Sequence, residues 1–166
     1  MSLSDTGGKI RPGVIYDYFS ISEISREVFS IYGDYTAVLP NYLLAEDVDT
    51  FVYDSGGDVA GFIQVHFERE ELKETGELHA DILSAAVAPG HQGQRVGSEM
   101  FKHVLQYLKK ESAGADRADV QLTVAHTNTR AMAFFRRMGF ELDGRELGSY
   151  SEGQRALIMS RTLLED

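Results

Sequence analysis

The residues best equipped for chemistry in this chain fall in one short run, Gln92-Gly93-Gln94-Arg95-Val96-Gly97-Ser98. An apolar, strand-like stretch over residues 78–87 leads into it through Ala88-Pro89-Gly90, and an amphipathic stretch follows it at once. A turn between a strand and a helix leaves several backbone N–H groups without partners at the helix N-terminus, where the peptide dipoles also favour negative charge. Gly93 and Gly97 let a phosphate approach the main chain, Ser98 adds a hydroxyl and Arg95 a cation. The run therefore fits a pyrophosphate, and it fits equally a structural strand-to-helix turn whose amides face water. Two other phosphate loops are excluded by spacing. No Lys followed by Ser or Thr comes after the last glycine, as a P-loop requires. The run also follows the third or fourth strand rather than the first, where a dinucleotide fold places its glycines.

Other polar groups are placed by the same strand and by a later turn. Side chains alternate along a strand, so Glu77, His79 and Asp81 share one face. Thr127 or Asn128 stands where a helix running to Met138 needs an N-cap, and Gly139 stands where that helix must stop. His66, His79, His91, His103 and His126 show none of the close pairing that a helix-borne zinc site uses, so no metal is expected. The chain has no cysteine, which closes disulfides, thiolate nucleophiles and any acyl-cysteine route.

These groups must be positioned by elements that the apolar spacing marks out. Helical spacing over residues 21–32 and, more weakly, 35–45 predicts two N-terminal helices. Residues 50–54 and 59–67 are β-rich runs joined by Ser55-Gly56-Gly57, the composition of a hairpin turn. Residues 68–76 read as a charged connector. Val96, Met100, Phe101, Val104, Leu105 and Leu108 mark one face of a helix after the glycine turn, with Glu99, Lys102, Gln106, Lys109 and Lys110 on the other. Val120, Leu122 and Val124 alternate as in a half-buried strand, and a final strand is expected over residues 156–163. Strands alternating with helices in the second half argue for an α/β chain with a mixed sheet.

With 166 residues, 43% hydrophobic and 25% charged, the chain has the size of one domain that buries about 70% of its unfolded surface. Residues 9–166 are expected to form that domain after a loose end over residues 1–8. The 26 acidic and 16 basic residues leave a formal charge of -10, which repels nucleic acid and anionic membranes and favours cationic partners such as amines. No apolar stretch approaches the ~20 residues of a membrane span, and no cationic segment followed by an apolar block opens the chain. A cytoplasmic protein is the expectation.

The segment from Ser84 through Gln92 to Ser98 resembles the cofactor motif of the GNAT N-acetyltransferase superfamily, Arg/Gln-x-x-Gly/Ala-x-Gly/Ala at a helix start, met here at Gln92 and Gly97. A second stretch resembles the later family motif in which an Asn opens a helix ending in Gly-Phe: Leu122-Thr123-Val124, Asn128-Thr129-Arg130-Ala131, Phe134-Phe135 and Gly139-Phe140. The resemblance implies a GNAT-like fold, a strongly twisted mixed sheet splayed at the cofactor strand with helices on both faces. It implies acetyl-CoA as acetyl donor, with backbone groups of Ala85, Ala86 and Val87 on the acetyl and pantetheine portion. It further implies the pyrophosphate on Gln92, Gly93, Gln94, Arg95, Val96, Gly97 and Ser98, and Asn128 on the cofactor arm. The activity implied is acetyl transfer to a primary amine of a small molecule or a protein N-terminus, and homodimers are frequent in the family. The loop Ser149-Tyr150-Ser151-Glu152-Gly153 resembles that of ribosomal-protein and N-terminal acetyltransferases.

Two residues depart from the family pattern. Arg95 stands where glycine is usual, so the backbone there either avoids a glycine-only conformation or is strained. Phe135 stands where many relatives carry the tyrosine that protonates the leaving thiolate, and phenylalanine has no proton to give. Phe135 then reads as a wall of the cofactor pocket, with Tyr150 or a water as the replacement acid. By resemblance Asp81 is the first base candidate, with Glu77 and His79 as alternatives; Thr123, where some relatives have Glu, cannot serve as a base at neutral pH. The missing tyrosine motivates a second reading, an acyl-CoA-binding or sensor domain without catalysis. A third is an interaction domain with no ligand.

Overall fold

The structure is a computed structural model that describes residues 7–164. Its centre is a 7-stranded sheet in the order β1-β2-β3-β4-β5-β7-β6. The strands are β1 (Gly8–Pro12), β2 (Val48–Ser55), β3 (Asp58–His66), β4 (Glu77–Val87), β5 (Arg117–Ala125), β6 (Glu141–Ser149) and β7 (Arg155–Thr162). All neighbours pair antiparallel except β4 and β5, which run parallel. A parallel pair needs a crossover, and the crossover here is helix α4 (Val96–Glu111). The apolar stripe read from the sequence is the buried face of α4: Val96, Met100, Phe101, Val104, Leu105 and Leu108. It packs with Met132 of α5 (Thr129–Arg137) and with Phe140 over one face of the sheet. Ile21 and Ile24 of α1 (Tyr18–Phe29) and Leu39 of α2 (Val38–Asn41) cover Val52, Phe62 and Ala86 on the other face.

The hairpin of β2 and β3, the strand β4, the Asn128 cap and the terminal strand all lie where the sequence puts them. Several expectations shift. The first helix is Tyr18–Phe29, three residues ahead of the predicted start, and Gly33 N–H closes its end on Phe29 O at 3.2 Å. The stretch over residues 35–45 forms only the short α2 and a 3-10 turn, Tyr42–Leu44. The charged connector over residues 68–76 is a helix, α3 (Arg69–Thr75), ended by Gly76 in the left-handed region at φ 72°. It carries Glu70 and Glu71 in its first turn and Lys73 in its last, so capping charges rather than an apolar stripe mark it. Strand β1 was not expected: Gly8 opens it after a bend at Gly7, and residues 1–6 of the predicted loose end lie outside the described residues. Arg11 on β1 donates to Asp17 and Asp54 at 2.9 and 3.0 Å. Strand β6 was also missed. Every one of its residues is exposed and its register on β7 shifts twice, so no period-2 pattern survives in it.

The feature that creates the site is a bulge. Gln64 pairs with Ser84 but the next residue, Val65, pairs with Ile82, which leaves Leu83 as an extra residue in β4. A bulge bends its strand and increases the local twist. Pairing of β4 with β5 stops at Ile82 opposite Leu122, while β4 stays on β3 as far as Val87 and β5 stays on β7 as far as Ala125. A wedge opens between the parallel strands. On its β3 side Gly61 is held close: a Cβ there would sit 2.8 Å from Ala86 O and 2.9 Å from Met100 Cε. Since one of those contacts is backbone, Gly61→Ala is expected to lower stability by about 1–3 kcal/mol, measured as a fall in the urea midpoint at unchanged m-value.

Candidate active site

The wedge is a cleft of about 580 Å³. Along one wall run Ile82 to Val87 of β4, whose edge toward β5 has lost its ladder partners from Leu83 onward. Backbone groups on such an edge accept an extended ligand as a strand would be accepted. The opposite wall is Leu122, Thr123, Val124 and Ala125 of β5. Beyond β4 the chain makes the turn predicted to hold a phosphate, and His91, Gln92, Gly93, Arg95, Val96, Gly97 and Ser98 line the cleft there. Gln94 does not line it; its side chain turns back to Gly90 O at 3.5 Å. Gln92 also has a structural task, since Nε2 donates to Val87 O at 3.1 Å and ties the turn to the end of β4.

The N-terminus of α4 has no side-chain cap, so the N–H groups of Val96, Gly97 and Ser98 are the helix donors left without intrahelical acceptors. Arg95 is the N-cap residue and adopts φ 67°, ψ 9°. It is the one non-glycine residue at positive φ among the described residues, so the departure from glycine noted in the sequence is resolved as strain. Gly93 takes φ 81° beside it. Arg95, Arg130 and Arg137 all line this end of the cleft. None of them has a carboxylate partner among the described residues, although Arg11, Arg26, Arg69, Arg117, Arg145 and Arg155 each do. In a chain of charge -10, unpaired cations gathered at an open helix N-terminus make a local anion site. Arg130 and Arg137 were not found in the sequence reading, because on the exposed side of a helix they look like ordinary solvated residues.

Asn128 caps α5 by accepting the Ala131 N–H at 3.1 Å and also lines the cleft, so cap and lining are one residue. Phe135 lines the cleft beside Phe134 and packs on Phe101 at 5.6 Å between ring centroids. It is a wall, as expected from its chemistry.

The other end of the cleft is closed by Val28 and Phe29 of α1, Tyr32 and Tyr35 after it, Leu39 of α2, and Tyr150 from the β6–β7 hairpin. Tyr32 and Tyr150 pack with ring centroids 5.4 Å apart and planes tilted by 43°, and Gln154 Nε2 donates to Ile31 O at 2.8 Å, so the hairpin tip is tied to the segment just after α1. The Tyr150 hydroxyl donates to Thr123 Oγ1 at 3.3 Å, and burial raises its pKa above the ordinary tyrosine value. Tyr150 therefore keeps its proton at neutral pH.

The expected bases are elsewhere. Glu77 and Asp81 do not line the cleft. Both lie on the part of β4 that is still paired with β5, opposite Arg117 and Gln121, and Asp81 Oδ1 accepts the Gln121 amide at 2.8 Å. His79 is committed on both ring nitrogens, to Asp119 at 2.8 Å and Glu77 at 2.9 Å. The Asp119 and Glu77 hydrogen bonds raise its pKa, and they hold the ring on the paired part of the sheet, away from the cleft. The reason is the bulge: the polar face read along residues 77–81 ends where the cleft begins. Among the described residues no Asp or Glu lines the cleft, and no cluster of His, Asp and Glu able to hold a metal occurs.

Residues 16–140 match the Acetyltransferase (GNAT) family. The match covers well over half of the chain, and the chain belongs to that family. It is similar to the streptothricin acetyltransferase of Streptomyces lavendulae, 36% identical over an alignment of 122 residues that covers 69% of this chain and 59% of that protein. The chain thus spans less than two thirds of that relative's length. Among solved structures it is similar to Ard1 from Thermoplasma volcanium, with a TM-score of 0.77 and 26% identity over 96% of this chain and 99% of that one. A nourseothricin acetyltransferase is 31% identical over 72% of this chain and 67% of its own, with a TM-score of 0.57.

A left-handed backbone costs a non-glycine residue about 1–2 kcal/mol, part of which glycine gives back through its unfolded-state entropy. Arg95→Gly is accordingly expected to raise the unfolding free energy by about 1 kcal/mol in urea titration.

Proposed function

We propose that this chain transfers an acetyl group from acetyl-CoA to a primary amine by direct attack. The observation that carries the reading is the continuity of the cleft. An unpaired strand edge over residues 83–87 runs straight into an uncapped helix N-terminus flanked by Arg95, Arg130 and Arg137. An amide-bearing arm that ends in a pyrophosphate matches that sequence of surfaces in order. The pantetheine arm pairs on the β4 edge at Ala85 to Val87, the pyrophosphate takes the N–H groups at Val96 to Ser98, and the arginines neutralise the phosphate charge.

The thioester then lies where β4 and β5 part, between Leu83 and Thr123. There the amine lone pair forms the new C–N bond as the C–S bond breaks. One amine proton leaves to water, because no carboxylate lines the cleft, and the thiolate takes a proton. Tyr150 is the residue proposed to supply it, since burial keeps the phenol protonated and its 3.3 Å bond to Thr123 is long enough to give up. The acceptor is an amine of a small molecule or a peptide N-terminus, the protein is cytoplasmic, and a homodimer is compatible with this reading. A second reading, a non-catalytic acyl-CoA-binding domain, is supported by Phe135 in the place of a hydroxyl-bearing residue; the same cleft serves it.

Titration with acetyl-CoA tests the shared part of both readings. At about 100 times its dissociation constant the ligand is expected to stabilise the fold by roughly 2.7 kcal/mol. Gly97→Glu is expected to abolish binding, because a Cβ there lies 3.5 Å from Phe134 and 3.6 Å from Val87, both walls of the cleft, and its carboxylate competes with phosphate. Turnover with an amine panel separates the readings. Tyr150→Phe is expected to lower kcat by about 10²-fold with unchanged acetyl-CoA affinity. With no carboxylate base at hand, kcat/KM for the amine is expected to rise with pH until the acceptor itself is deprotonated.

A further inference from the structure

Gln64 is the largest polar residue buried without any exposure, at 0%. Its amide Nε2 donates to Leu39 O at 2.8 Å and to Thr50 Oγ1 at 3.2 Å. Both of its protons are spent there, which fixes the orientation of the amide: reversed, Oε1 would face the Leu39 carbonyl with no proton between them. Oε1 must therefore point the other way, and it accepts the Ser84 hydroxyl at 2.7 Å.

A hydroxyl has one proton and two lone pairs. With its proton committed to Gln64, Ser84 can present only lone pairs to the cleft that it lines. Ser84 sits beside the extra residue Leu83, at the point where β4 leaves β5, and on the sheet face covered by α1 and α2. The buried pairing thus sets the polarity of an exposed oxygen.

From this chain of donors, and resting on the acetyltransferase reading above, we infer that Ser84 Oγ accepts an N–H of the incoming amine and selects primary over secondary amines. A primary amine carries two hydrogens. One leaves with acetylation and the other stays on nitrogen as the amide N–H. Ser84 holds the hydrogen that stays, since its own proton is kept by the buried Gln64 Oε1, which would otherwise lose its partner, and the amine lone pair is aimed at the thioester carbon. A secondary amine has no second hydrogen to offer, and its alkyl group meets the Ser84 lone pairs instead. Gln64 is the positioning residue.

The test needs no knowledge of the natural acceptor. CoA alkylated on sulfur with a CH2–CO–NH–CH3 arm keeps the N–H; the same arm ending in N(CH3)2 lacks it. The parent protein is expected to bind the N–H conjugate about tenfold more tightly, the scale of one hydrogen bond in a site where its loss strands an acceptor. Ser84→Ala is expected to bind the two conjugates within about twofold of each other, and Ser84→Thr, which keeps the hydroxyl, to retain the tenfold preference. A preference that survives in Ser84→Ala, or that the parent lacks although it binds acetyl-CoA, overturns the inference and leaves the acetyltransferase reading intact. Failure of the parent to bind acetyl-CoA overturns both.

Discussion

The site depends on the loss of hydrogen bonds between β4 and β5 beyond Ile82 and Leu122. Parallel strands separate at a cost, because each backbone N–H and C=O left on the open edge needs a partner. The cost is tolerable only where something else takes the edge, and here the opening is wide enough for a ligand yet fixed on both sides. Strand β3 holds β4 to Val87, and β7 holds β5 to Ala125. Both long walls of the cleft are thereby anchored to paired strands. The extra residue Leu83 supplies the bend. It also reverses which side of β4 its side chains face, so Ser84 and Ala86 look toward α1 while Leu78, Ala80 and Ile82 look toward α4.

That reversal explains what was and was not legible in the sequence. The glycine turn, the α4 stripe, the Asn128 cap and the hairpin of β2 and β3 are local signals, each carried by residue type and period, and each lies where it was read. The bulge is not local. Nothing in Asp81-Ile82-Leu83-Ser84 announces an extra residue, since its evidence is the register against β3 across the sheet. Strict alternation carried past residue 82 assigns the wrong face to everything after it, and it was resemblance, with their place on the cofactor strand, that made Glu77, His79 and Asp81 look like neighbours of the chemistry. They are neighbours of Arg117, Asp119 and Gln121. Tyr32 and Tyr35 escaped notice because the predicted helices over 21–32 and 35–45 are shorter than read: the first ends at Phe29 and the second begins at Val38, so both tyrosines fall between them, where they line the cleft.

Electrostatics divides the cleft into unlike halves. The turn end gathers unpaired arginines and a helix N-terminus; the far end is apolar and phenolic, with hydroxyls but no carboxylate. The acidic balance of the whole chain is therefore a property of its outer surface and not of this site. An anion meets a local attraction inside a global repulsion, so added salt weakens the two in opposition.

The bond from Gln154 to Ile31 joins residues 123 positions apart in sequence. Together with the Tyr32–Tyr150 contact it makes the far wall of the cleft a seam between two segments distant in sequence. Neither segment has a shape of its own to present, because each leans on the other. A change in the shape of this wall is then a matter of matched replacements on both sides of the seam. Recombination that carries only one of them exchanges a fitted wall for a mismatched one.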